Sequence, residues 1–140
     1  MIRRSLGRTA EELSLLENDV VFAYLNELDP NFGVAERIFN KLNQGSIKIS
    51  ISSVALVEME LIYRSQNKED SLLEDMAALA ALPGTTFEPL TPEIALSAVY
   101  LRQTFGLSFF DSHYAATALN LDKIIVSFDR AYDSVKGLRR

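Results

Sequence analysis

Short apolar runs with strand character recur along this chain, each separated from the next by one or more stretches of helical spacing. That alternation admits few folds. Residues 13–16 (Leu13-Ser14-Leu15-Leu16) read as a short buried strand, and Ile47, Ile49 and Ile51 alternate with polar residues as a half-buried one. Thr86 to Leu90 reads as a further short strand and Ile124 to Phe128 as the last clear one. The first intervening helix, Val20 to Leu28, is ended by Asp29-Pro30, because the residue before a proline is pushed away from helical angles. Val34, Ile38, Phe39 and Leu42 keep helical spacing up to Gly45, and Ser52-Ser53 cap a helix from Val54 to about Arg64. After the polar loop 65–70, Leu72 to Leu82 is helical until Pro83-Gly84. Thr91-Pro92-Glu93 starts a helix that runs to Phe105, and Ser108 to Leu119 forms the last. Strands joined through helices require crossovers, so the prediction is an α/β fold with a mainly parallel sheet covered by helices.

In such sheets, sites form in the crevice outside the carboxyl ends of the strands. Acidic residues fall there repeatedly. Glu17-Asn18-Asp19 follows the first strand and Asp129 follows the last, while Glu58 and Asp111 lie in helical apolar segments. Glu58 has Val54, Ala55, Leu61 and Ile62 as its helical neighbours, which puts it on a buried face, whereas Glu60 faces a mixed surface. Asp111 sits at a helix start above Ala115 and Ala118, where an aspartate also simply complements the helix dipole. Asp129 in a turn, and Glu58 paired with an arginine, are the plain alternatives. Burying unpaired carboxylates is costly, so several beside core segments imply a shared positive partner, and Mg²⁺ or Mn²⁺ is the cation that carboxylate oxygens suit. Asn18 and Ser127 are placed to hydrogen-bond such ligands. His113, two residues from Asp111, does not share its helix face and is expected to be partly exposed or satisfied rather than a ligand. Asp133 reads as a surface residue.

Composition narrows the class. The 140 residues are 48% hydrophobic with no cysteine, which excludes disulfides and thiolate chemistry. The net charge of −5 argues against a general phosphate-coating binder, although metal-holding carboxylates count as negative in that sum. No apolar run approaches a membrane span, and Met1 to Arg8 lacks the apolar stretch of a signal peptide, so a cytoplasmic location is expected. No repeat or linker divides the chain, which predicts one domain over 13–140 after an N-terminal extension of 1–12. The basic ends (Arg3, Arg4, Arg8; Lys136, Arg139, Arg140) are either solvated termini or phosphate or partner contacts.

Four segments in order carry a resemblance. They are Leu15-Leu16-Glu17-Asn18-Asp19-Val20-Val21-Phe22-Ala23-Tyr24-Leu25, Ser53 to Glu58, Phe110-Asp111-Ser112-His113-Tyr114-Ala115-Ala116-Thr117-Ala118-Leu119, and Ile125-Val126-Ser127-Phe128-Asp129-Arg130-Ala131-Tyr132. Over about residues 13–138 the chain resembles the PIN-domain family, which includes stand-alone archaeal members and the VapC-type toxins of toxin–antitoxin pairs. The resemblance implies a three-layer α/β/α sandwich and metal-dependent hydrolysis of RNA phosphodiesters. It also implies a homodimer and an antitoxin partner. Glu17 or Asp19, Asp111 and Asp129 would hold one or two Mg²⁺ or Mn²⁺ ions, with Glu58 as a further ligand. The family's opening motif carries aspartate directly after the strand, where this chain has Glu17. Either Glu17 reaches in with its extra methylene, or Asp19 takes over, or the site is weakened.

Two other classes compete. A non-catalytic PIN-like binding or assembly module is favoured by Glu17 and disfavoured by Glu58, Asp111 and Asp129. A receiver- or dehalogenase-type phosphotransfer domain would need an aspartate where Glu17 stands, and no lysine follows a late strand in the receiver manner.

Overall fold

The computed structural model describes residues 13–140. The N-terminal extension expected over 1–12, with Arg3, Arg4 and Arg8, lies outside the described residues. In chain order the elements are β1 (Leu15–Leu16), α1 (Asn18–Leu25), α2 (Phe32–Asn43), β2 (Ile49–Ser52), α3 (Val54–Ser65), α4 (Glu69–Ala80), β3 (Thr85–Glu88), α5 (Pro92–Phe105), α6 (Phe109–Leu119) and β4 (Ile125–Val126). A 3₁₀ turn follows over Arg130–Ser134. The described strands form one four-stranded parallel sheet in the order β3-β2-β1-β4, sandwiched by helices as a three-layer α/β/α fold. Leu15 pairs with Ser50 on one side and Ile125 on the other, which centres β1 in the sheet.

The half-buried strand expected at Ile47–Ile51 is a correction. All four residues of β2 are buried, serines included, because a parallel strand with helices over both faces has no wet side. Its serines are satisfied internally: Ser50 Oγ donates to Glu88 Oε2 at 2.9 Å, and Ser52 Oγ accepts from the Val54 amide at 3.1 Å. The Ser52-Ser53 cap thus works through Ser52. The first helix also ends earlier than Leu28. Asn26 leaves helical angles, and its side-chain oxygen accepts from the Leu28 amide at 3.1 Å. Leu28 is left 91% exposed.

Caps bound the later helices as the sequence predicts. Thr91 Oγ1 accepts from the Ile94 amide, Pro92 sits in the first turn of α5, and Gly106 ends it in the left-handed region. Ser108 Oγ caps α6 by accepting from the Asp111 amide at 3.4 Å, so the Asp111 carboxylate is not spent as the cap. From Ser112 to Ala118 every residue of α6 is buried. Ala115, Ala116 and Ala118 let this helix lie close over the sheet, against β1, β2 and β4, and it packs most extensively on α5. No helix among the described residues is long and apolar enough to cross a membrane.

Gly84 makes the turn into β3 at φ +70°, and a Cβ there would lie 2.8 Å from the Ile47 carbonyl oxygen. Left-handed strain and a backbone clash would combine. Gly84→Ala is therefore expected to lower stability by about 1–3 kcal/mol, read as a shifted urea midpoint with an unchanged slope.

Candidate metal and catalytic site

The carboxyl ends of β1 and β4 present Glu17 and Ser127, and three elements converge on the crevice beyond them. Glu17 is the residue immediately after β1 and the N-cap of α1, with one carboxyl oxygen accepting from the Asp19 amide. It is 6% exposed. Burial and, next, the neighbouring Asp19 carboxylate push its carboxyl up to about 9.

The other Glu17 oxygen, Oε1, lies 2.9 Å from the Tyr132 hydroxyl, which is also 3.1 Å from Asp111 Oδ1. Tyr132 is fully buried, and burial together with Glu17 and Asp111 holds its phenol far above the usual range, so it remains a donor. A phenol has one proton, so the Tyr132 hydroxyl is a donor shared between Glu17 Oε1 and Asp111 Oδ1.

Glu58, on α3, belongs to an adjoining network. Its Oε1 accepts from the Tyr114 hydroxyl at 2.6 Å and from Asn18 Nδ2 at 2.9 Å. Asn18 Nδ2 also donates to the Ala55 carbonyl at 2.9 Å, which ties the start of α1 to α3. Burial, then Glu58, Glu17 and Asp111, raise the Tyr114 phenol. Glu17, Glu58 and Asp111 thus surround one pair of tyrosines.

Asp19 faces a different way. Its Oδ2 accepts from Ser127 Oγ at 2.9 Å and from the Phe128 amide at 2.8 Å, pinning the loop after β4 to α1. Ser127 Oγ in turn accepts from the Asp129 amide at 3.0 Å. The Asp129 side chain is exposed and caps the 3₁₀ turn through the Ala131 amide at 2.8 Å, the plain turn-aspartate arrangement. Arg140 forms a two-pronged ion pair with Asp133, at 2.9 and 3.1 Å, and reaches the Ser127 carbonyl at 3.4 Å.

His113 is buried, neither partly exposed nor fully satisfied. Its Nδ1 has no partner, and burial followed by the Arg102 charge lowers its pKa. Tyr132 and Tyr114 were missed as site residues. Tyr114 lies three residues after Asp111, on the same helix face; nothing in the spacing of Tyr132 marks it, because only the fold brings it to Glu17, 115 residues away in sequence.

The chemistry of these donors fits a hard divalent cation. Glu17, Glu58 and Asp111 supply only oxygen, and no lysine or arginine side chain is hydrogen-bonded or ion-paired to any of them among the described residues. Asp19 Oδ1 and Asn18 Oδ1 are buried without a partner. The spacing is looser: among the described residues, no three acidic or histidine side chains are gathered closely enough to enclose an ion.

The sequence matches the PIN domain family model over residues 15–138. No curated protein matches the chain. Among solved structures, the fold is similar to a VapC20 toxin of Mycobacterium tuberculosis that cleaves the sarcin–ricin loop. The TM-score is 0.69 at 16% identity, covering 90% of this chain and 98% of that one. A toxin–antitoxin complex from Klebsiella pneumoniae gives 0.64 at 16% identity, over 91% and 96% of the two chains. The VapBC2 complex of Rickettsia felis, bound to a promoter DNA fragment, gives 0.67 at 14% identity, over 90% and 95%. At these identities the structural likeness speaks for the fold, and the family match over nearly the whole described chain speaks for descent: the chain belongs to the PIN-domain family.

Proposed function

We propose that this chain is a divalent-metal-dependent endoribonuclease that hydrolyses RNA phosphodiester bonds and serves as the toxin of a toxin–antitoxin pair. The observation that carries the reading is the set of Glu17, Glu58 and Asp111 at the sheet's carboxyl edge, with no cationic side chain to offset them. Family membership and toxin neighbours support it. Glu17, Asp111 and Glu58 are the residues that would hold Mg²⁺ or Mn²⁺. Of the two candidates for the first position, the Tyr132 contact shared with Asp111 favours Glu17, whereas Asp19 fastens the loop carrying Ser127 and Asp129. Bound there, the ion would activate a water nucleophile and neutralise charge on the phosphate. Asn18 and Tyr114 orient the Glu58 carboxylate, and Asp129 sits at the exposed rim.

The same reading brings an antitoxin and a second copy of the chain as partners, in the cytoplasm. On α5, Leu96, Val99 and Tyr100 are exposed, apolar surface of the kind an assembly covers. A second reading, a PIN-like module that binds without cutting, is favoured by the absence of a tight acidic cluster among the described residues.

Incubation of a mixed RNA pool with Mg²⁺, Mn²⁺ or EDTA, beside the Glu58→Gln protein, separates the two. Cutting with either metal is expected, none in EDTA, and a fall of about 10- to 100-fold in Glu58→Gln. Folded protein that leaves the pool intact with both metals points to the binding module.

A further inference from the structure

Glu17 presents a geometric problem that Tyr132 answers. A glutamate directly after β1 has one more methylene than an aspartate, and its free torsions would let the carboxyl swing across the crevice. In the fold, that carboxyl is fixed at both oxygens, by the Asp19 amide and by the Tyr132 hydroxyl. The same hydroxyl reaches Asp111 Oδ1 on α6. Tyr132 is fully buried, so its hydroxyl meets both carboxyl groups out of contact with solvent. Its ring is immobilised within the hydrophobic core beneath the loop after β4.

We infer that Tyr132 is the positioning residue that fits Glu17 to this site, its hydroxyl setting the placement of the Glu17 and Asp111 carboxyl groups relative to one another for a divalent cation. The inference rests on the metal-dependent reading above and adds a residue to it. Tyr132 touches neither ion nor substrate and acts through the two carboxyl groups. A carboxylate ligand oriented by a buried hydroxyl loses affinity when the hydroxyl is removed, typically 10- to 100-fold.

The test is Mn²⁺ titration by calorimetry of the metal-stripped full chain, in four forms: wild type, Tyr132→Phe, Glu17→Ala and the double variant. Tyr132→Phe keeps the ring, so the core remains filled. Its Mn²⁺ dissociation constant is expected to rise about tenfold, whereas the same change made on Glu17→Ala is expected to cost less than about threefold, because only Asp111 of the two groups it positions remains. A purely structural tyrosine would cost the same factor on both backgrounds, and that result overturns the inference. Unaltered Mn²⁺ affinity in Tyr132→Phe overturns it too, while leaving the metal-dependent reading standing. A wild-type chain that takes up no Mn²⁺ removes both.

Thermal unfolding of the four forms in EDTA gives a second, metal-free reading. The hydroxyl–carboxyl link predicts that the two single-variant losses are not additive. Strict additivity refutes the link itself.

Discussion

Asp111→Asn is expected to abolish RNA cleavage, lowering the single-turnover rate by about a thousandfold or more, while leaving the folded chain intact. The substitution is isosteric and replaces a negative oxygen by an amide at a half-buried position. The Tyr132 hydroxyl keeps an acceptor in the remaining carbonyl, and Ser108, not Asp111, caps α6. Stability should therefore move by no more than about 1 kcal/mol. What disappears is charge: a neutral oxygen is a far weaker ligand for a hard cation and cannot offset its charge. Cleavage that survives in Asp111→Asn would show that the acidic group centred on Tyr132 is not where the chemistry occurs.

The second large effect concerns stability against pH in the absence of metal. Glu17 titrates near 4.5 when the chain is unfolded and at about 9 when folded, driven up by burial and by Asp19. Between these values the folded chain keeps a proton that the unfolded chain has released, so the folded state binds more protons and stability must fall as pH rises. The contribution is fully present below about 4.5 and is lost as pH climbs through about 9. Urea unfolding in EDTA at pH 5, 7 and 9 should show a decline of a few kcal/mol from this group. Glu17→Gln removes the titration and should flatten that decline. A wild-type profile as flat as that of Glu17→Gln would show that Glu17 is ionised in the folded chain.

The fold was largely readable because its punctuation is local. Pro92 in the first turn of α5, Gly106 after it and Pro83-Gly84 before β3 act through backbone angles that need no distant partner. Failures arose where tertiary surroundings decide. The alternation at Ile47–Ile51 suggested a wet face on β2, yet Ser50 and Ser52 are buried because Glu88 and the Val54 amide satisfy them. The end of α1 was misplaced because Asn26 competes for the backbone before Asp29-Pro30 is reached.

The candidate site divides the same way. Glu17, Glu58 and Asp111 could be picked out from apolar neighbours and strand ends, which are sequence properties. Their division from Asp19 and Asp129 could not, since it depends on side-chain direction in the loop after β4. Tyr132 was invisible for the same reason: an aromatic residue in a short turn reads as core until its hydroxyl is seen between two carboxyl groups.

The segment after the 3₁₀ turn returns to the sheet. Ile125 donates its amide to the Arg139 carbonyl at 2.8 Å, and Arg139 donates to the Lys123 carbonyl at 2.9 Å, so Ile124 and Arg139 pair in parallel on the outer side of β4. An open strand edge is a template on which another chain's strand can add. Here the returning segment shields that edge, and it follows directly on the turn that holds Tyr132. Protection against edge-on aggregation and the placement of Tyr132 therefore draw on one continuous length of chain.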